Sequence, residues 1–315
     1  MIYLLLSILL SVGLLVNFRL FPKFGIPTFP VIILNYPVCF LLGYLLMEKG
    51  QKFTLDLNQP WTWYCLALGV GFIITFMLSG KATQKIGMTL TSLANNISLV
   101  IPVLFSLLVF GSSLLSFTPL NYLGLALGLV AVGIATYKVD GDRRTGTFWQ
   151  SGGLALAVFL CYGISNTAIN YIQINLIKDS PGAIPVMLIM VLGAIVTGSI
   201  LGVYRWAKGK DNWNYKVLLA AFTLGIPNFL SFYYLILALN HFGSSGAFVY
   251  PLYNMGVILV SAGVSVWIFK EKLSKLNKIG LGLAILAILL ISWNSLFIKP
   301  FPEFLSNFVT FFPLT

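Results

Sequence analysis

Ten long apolar stretches alternate with short polar connections along this chain. They occupy residues 2–18, 28–47, 61–79, 89–110, 115–137, 148–171, 183–204, 217–239, 245–269 and 276–297. Each approaches or exceeds the roughly 20 predominantly apolar residues that a helix needs to cross the hydrocarbon core. The connections carry the charge, as in "KVDGDRRTG" at 138–146 and "RWAKGKDNWNY" at 205–215. None is long enough for a soluble domain. The first stretch has neither a basic start nor a small-x-small cleavage site, so it reads as a span rather than a removable leader. Beyond 298 the pattern changes. Pro302 and Glu303 suit a helix start, and Phe301, Phe304, Leu305, Phe308 and Phe312 trace a helical stripe, the mark of an amphipathic segment lying in the interface.

The pattern is doubled. A shift of 156 lays residues 82–137 on 238–293 without a gap, pairing Ala82 with Ala238, Gly87 with Gly243, Asn121 with Asn277, Gly124 with Gly280 and Ala131 with Ala287. Earlier, Asn17-Phe18 precedes Pro30-Val31 much as Asn170-Tyr171 precedes Pro185-Val186, with two residues inserted. The unit is five spans, and an odd number makes the second copy enter the membrane from the opposite side. The expected fold class is an all-α integral membrane protein of ten transmembrane helices, built as two inverted five-helix repeats. The division is 1–137, a linker at 138–147, 148–297, and a tail at 298–315. Inverted repeats suit alternating access, with the substrate site at the repeat interface near the midplane.

Composition agrees with lipid as the main solvent. The chain is 58% hydrophobic and 9% charged, against about 25% charged in soluble domains. Its net charge of +11 does not point to nucleic acid, because the 19 Lys and Arg sit in connections rather than on one face of a polar domain. Fifteen of those 19 fall on the odd-numbered connections. By the positive-inside rule, that bias places both termini outside the cytoplasm. Cys39, Cys65 and Cys161 stand singly, without metal or disulfide spacing. No cofactor is expected.

Candidate chemistry lies on polar stripes. In the fourth span Thr91, Asn95, Ser98, Pro102 and Ser106 share a face, and in the ninth Tyr250, Asn254, Val257, Ser261 and Ser265 do so, with Pro251 and Tyr253 beside them. Ser98 and Asn254 are equivalent under the shift. Asn166, Asn170 and Gln173 form a stripe on the sixth span. Pro227-Asn228, Tyr233 and Tyr234 mark the eighth, and Asn17, Asn35 and Tyr36 the first two. The predicted substrate-binding residues are Asn17, Asn35, Tyr36, Asn95, Ser98, Asn166, Asn170, Asn228, Tyr233, Tyr250, Tyr253 and Asn254, with Pro102, Pro227 and Pro251 as hinges. Amides that donate and accept, beside phenols, suit a zwitterionic or uncharged polar solute. The same residue types also hold membrane helices together, so both roles stand open.

No Asp or Glu lies deep in a span; Glu48 and Glu271 are at ends. Coupling through an intramembrane carboxylate is therefore disfavoured and exchange or facilitated flow favoured. One histidine and isolated cysteines do not build the acid, metal or nucleophile sets of a membrane enzyme, and no charged ring suggests a channel.

The five-plus-five arrangement, with the ending "WIFKEKLSKLNKIGLGLAILAILL" at 267–290, resembles the drug/metabolite transporter superfamily, EamA-type branch. The resemblance covers roughly residues 1–297. It implies export or exchange of small, amino-acid-like metabolites through a central cavity, across a cell inner membrane, by a monomer or homodimer whose other partner is lipid. Multidrug export is the alternative. The resemblance implies both termini inside, opposite to the charge bias. In the first repeat Leu115 stands where the second has Glu271, and Asn35-Tyr36 where many relatives carry an arginine.

Overall fold

The computed structural model describes residues 1–47, 49–110, 118–136, 148–172, 176–177, 182–209, 213–242 and 246–293. The linker at 138–147, the amphipathic stripe of the tail and Gln173 lie outside the described residues. Every regular element among the described residues is helical. They are α1 (Ile2–Leu20), a 3-10 turn (Phe21–Phe24), α2 (Thr28–Leu45), α3 (Pro60–Lys85), α4 (Met88–Ile97), α5 (Val100–Phe110), α6 (Pro119–Thr136), α7 (Phe148–Tyr171), α8 (Ala183–Ala207), α9 (Tyr215–His241), α10 (Gly246–Trp267) and α11 (Lys275–Ile291). Each of the ten apolar stretches carries a helix. Among the described residues, eight helical segments are long and apolar enough to cross a membrane, taking α4 and α5 together as Met88–Leu108. Large apolar side chains such as Leu9, Leu41, Ile200 and Leu219 are exposed on the outer faces, which water would not tolerate over so wide an area. The chain is a multi-pass helical membrane protein.

The fourth stretch is two helices rather than one. Pro102 has no N–H for the Ser98 carbonyl, which accepts from Ile101 at 3.0 Å instead. The Ser98 hydroxyl donates to the Asn95 carbonyl at 2.5 Å, and the Ser98 N–H joins it at 3.3 Å. Side-chain competition and a missing donor together interrupt the ladder at Ser98–Leu99.

Packing joins the two halves throughout. α6 lies along α11, α2 against α8, and α4 against α10; α3 packs on α7 and α8, and α9 on α1 and α2. Small residues allow the close approaches. A Cβ on Gly69 would stand 2.1 Å from the Ala194 nitrogen, one on Gly193 2.1 Å from the Leu66 carbonyl oxygen, and one on Gly124 2.7 Å from the Ile291 nitrogen. One apolar core runs through α4, α6, α7, α10 and α11, and a second through α2, α3, α8 and α9. Helix starts are capped where the chain re-enters: the Asn214 side chain accepts from the Val217 N–H at 3.1 Å, and Ser274 and Asn277 form a reciprocal capping box on α11.

Candidate functional site

The polar start of the ninth span folds into α10 with Pro251 buried in its second turn. Its Tyr253 hydroxyl reaches α1, 2.7 Å from the Ser11 hydroxyl. That approach is possible because Gly256, next along α10, has no side chain; a Cβ there would lie 2.4 Å from Ile8 Cδ1. On the other flank the Ser92 hydroxyl of α4 donates to the Val257 carbonyl at 3.4 Å. α10 is thus held between α1 and α4.

Other phenols lie near Tyr253. Tyr250 and Tyr162 are its neighbours, and the Tyr162 hydroxyl comes close to the Ser79 side chain of α3. Tyr36 of α2 is in turn within range of Tyr162. Its ring rests 5.9 Å from that of Phe76, only 2% of the residue is exposed, and its hydroxyl has no hydrogen-bond partner. A buried, unanswered phenol costs free energy unless a water or ligand atom meets it. Residues from α1, α2, α3, α7 and α10 therefore share one hydroxyl-rich zone; among the described residues it holds no carboxylate, ammonium or guanidinium, and the Cys39 thiol lies beside Tyr36. Asn95 and Asn254 are half-buried, and their amides make no hydrogen bond among the described residues. These amides, with the Tyr36 hydroxyl, are groups that could hold a polar solute.

The other sequence candidates divide by what they touch. Asn17 is committed to helix contact. Its Nδ2 donates to the Gly13 carbonyl at 2.9 Å and to the Thr223 carbonyl at 3.0 Å, while its Oδ1 accepts from the Thr223 hydroxyl at 2.9 Å. Thr223 is one turn before Pro227, so its carbonyl is the one Pro227 leaves without a backbone donor, and Asn17 supplies the missing N–H. Asn35 is wholly buried and donates to the Ile32 carbonyl; its Oδ1 accepts from Asn228 Nδ2 at 2.8 Å, and Cys39 lies against both amides. This trio joins α2 to α9. Ser98 serves the α4–α5 break. Asn166 is exposed and Asn170 half-buried, while Tyr233 stacks on Phe229 at 6.4 Å. Tyr250 is 47% exposed.

Tyr162, Ser79 and Ser11 were not among the sequence candidates. Tyr162 had a legible signal, since it precedes Asn166 and Asn170 by one and two helical turns on the same stripe. Ser79 and Ser11 had none, because each acquires its role only through a partner on another helix.

No family model matches the chain. A Haemophilus influenzae (strain Rd) protein, described only as uncharacterised, is 26% identical over 289 residues, covering 90% of this chain and 94% of that protein. A solved structure, titled only as the crystal structure of a protein, has a TM-score of 0.55 to this chain at 16% identity and covers 90% of this chain and 95% of its own. The likeness to that structure is one of fold, along nearly the whole of both chains.

Proposed function

We propose that this chain is an alternating-access transporter of the inner membrane, of the EamA type within the drug/metabolite transporter superfamily, that exports or exchanges a small polar solute of amino-acid-like chemistry. The carrying observation is the hydroxyl-rich zone itself: Tyr36, Tyr162 and Tyr253 come from helices of both halves, and among the described residues the buried Tyr36 hydroxyl has no hydrogen-bond partner, nor do the half-buried amides of Asn95 and Asn254. Such dipoles are tolerated at membrane depth where a wet cavity or a polar solute answers them.

The packing pattern supports two equivalent five-helix units. Exchange α1 with α7, α2 with α8, α3 with α9, α4–α5 with α10, and α6 with α11. The contact of α3 on α8 then becomes that of α9 on α2. Likewise α3 on α7 becomes α9 on α1, and α4 on α7 becomes α10 on α1. The contacts of α2 with α8, α4 with α10 and α6 with α11 return to themselves. An inverted repeat would pack in this way. Without a carboxylate or ammonium in the zone, a solute with balanced charge is favoured over an ion.

Counter-flow into reconstituted vesicles, across a panel of amino acids and related metabolites, tests the reading. We expect one polar solute class to exchange, and Tyr253→Phe and Asn254→Ala to raise its KM at least about fivefold, a loss of about 1 kcal/mol of binding, with thermal stability unchanged in Asn254→Ala and lowered only slightly in Tyr253→Phe by loss of the bond to Ser11. Exchange of flat hydrophobic compounds alone would favour multidrug export instead. Absence of exchange for every solute, or variants that alter stability and leave KM untouched, would refute the site.

A further inference from the structure

At one end of α1, α4 and α10, the helices that carry Ser11, Asn95 and Tyr253, an ion pair draws the elements together. Arg19 closes α1, and its guanidinium NH2 stands 3.5 Å from Glu271 Oε1. Its NH1 donates to the Thr83 and Gln84 carbonyls at 3.3 Å each, in the last turn of α3. Glu271 Oε1 accepts the Met88 N–H at 3.0 Å, capping the first turn of α4, and Oε2 accepts from the Ser265 hydroxyl of α10. Cation at a helix C-terminus and anion at a helix N-terminus are both favourable placements. The loop is shaped for this. Lys270 takes φ 55°, and the Glu271 N–H turns back to the Ser265 carbonyl at 3.1 Å. Gln84 completes the clasp by donating to the Phe18 carbonyl at 3.1 Å and the Thr28 hydroxyl at 2.8 Å.

The clasp joins the halves, with Arg19, Thr83, Gln84 and Met88 from one and Ser265 and Glu271 from the other. Arg19 is eight residues from Ser11, and Met88 is seven from Asn95, which at a helical rise places the clasp about 10–12 Å from the central groups along both helices. Beside it opens a cleft of about 160 Å³, lined by Arg19, Lys85, Leu90 and Glu271 among others.

The repeat-related positions do not carry this pair. Under the shift of 156, Glu271 corresponds to Leu115, and in the register that pairs Asn17 with Asn170, Arg19 corresponds to Ile172. We propose that Arg19 and Glu271 form a latch that shuts this end of the passage, and that its absence from the repeat-related positions sets the resting orientation, with access from the far side. The proposal rests on the transporter reading for its purpose, though not for its measurement.

The test uses the full chain carrying Cys161→Ala and Thr91→Cys in oriented proteoliposomes, with a membrane-impermeant thiol reagent added from the latch side; Thr91 lies one turn inside the clasp on α4 and is fully buried. Cys39 and Cys65 are buried, and the same chain without Thr91→Cys sets the background. Labelling is expected to be slow, and to quicken at least about fivefold in Glu271→Gln and in Arg19→Met but not in Arg19→Lys; fivefold corresponds to about 1 kcal/mol. Arg19→Met leaves the Glu271 cap on α4 in place, so it keeps the test readable if Glu271→Gln does not fold. Equal rates in parent and Arg19→Met, at equal thermal stability, would overturn the latch. Quickened labelling without exchange of any solute would keep the latch and refute the transport reading; exchange with unchanged labelling would do the reverse.

Discussion

Asn17 and Pro227 should be energetically coupled, and the coupling can be measured without knowing the solute. In α9 the Thr223 carbonyl has lost its backbone donor to Pro227 and is answered by Asn17 Nδ2 at 3.0 Å, while the Thr223 hydroxyl returns a bond to Asn17 Oδ1 at 2.9 Å. Asn17→Leu removes two interhelical bonds, each about 0.6 kcal/mol on average in membranes. It also leaves a carbonyl unanswered, at about 1–3 kcal/mol. The single variant should therefore lose about 2–4 kcal/mol. Pro227→Ala restores a backbone N–H to Thr223 and keeps the Cβ, which lies 4.0 Å from where a Cβ on Gly13 would be. In that background Asn17→Leu should cost only about 1 kcal/mol. The cycle is read by equilibrium unfolding in mixed detergent micelles, followed by circular dichroism, for the parent, both single variants and the double. A coupling of about 1–3 kcal/mol is expected; additivity within about 0.5 kcal/mol would refute the compensation.

Two further outcomes follow from local geometry. Gly87 has φ 97° and ψ 163°, and a Cβ there would meet the Glu271 carboxylate at 2.9 Å; Gly87→Ala should cost about 1–3 kcal/mol in unfolding experiments, and Glu271→Ala in the same chain should recover part of it. Ser274→Ala should cost about 1 kcal/mol by opening the α11 capping box, whereas Ser274→Gly should cost only a few tenths. Equal losses for the two Ser274 variants would count against the cap.

The helices were legible because each is an apolar run bounded by charge, and their edges moved by only a few residues: α3 extends to Lys85 beyond 79, and α9 starts at Tyr215 rather than 217. The division of the fourth stretch was half legible. Pro102 announces a missing donor, but the Ser98 hydroxyl taking the Asn95 carbonyl depends on a rotamer that no spacing rule supplies. Within the candidate site the limit is more fundamental. An amide that lines a cavity and an amide that binds two helices look alike in sequence, because both need partners. Asn17 meets Thr223, Asn35 meets Asn228, and Arg19 meets Glu271 across most of the chain length. Only the fold says which partners are available. Asn95, Asn254 and Tyr36 stand out in the structure for the opposite reason, that among the described residues their amides and hydroxyl meet no partner.

Gly69 and Gly193 face each other across α3 and α8 with main chain against main chain. A contact of that kind has no side chains to trade, so neither position can be rescued by shrinking a neighbour. In a saturation library scored for folded protein, both columns should collapse to glycine alone. Gly133, Gly153 and Gly282, where an added methyl group would meet nothing within 4 Å, should drift freely among small residues. The crossing should therefore act as a fixed point when the sequence varies, and a scan of folded variants would find it with no solute in hand.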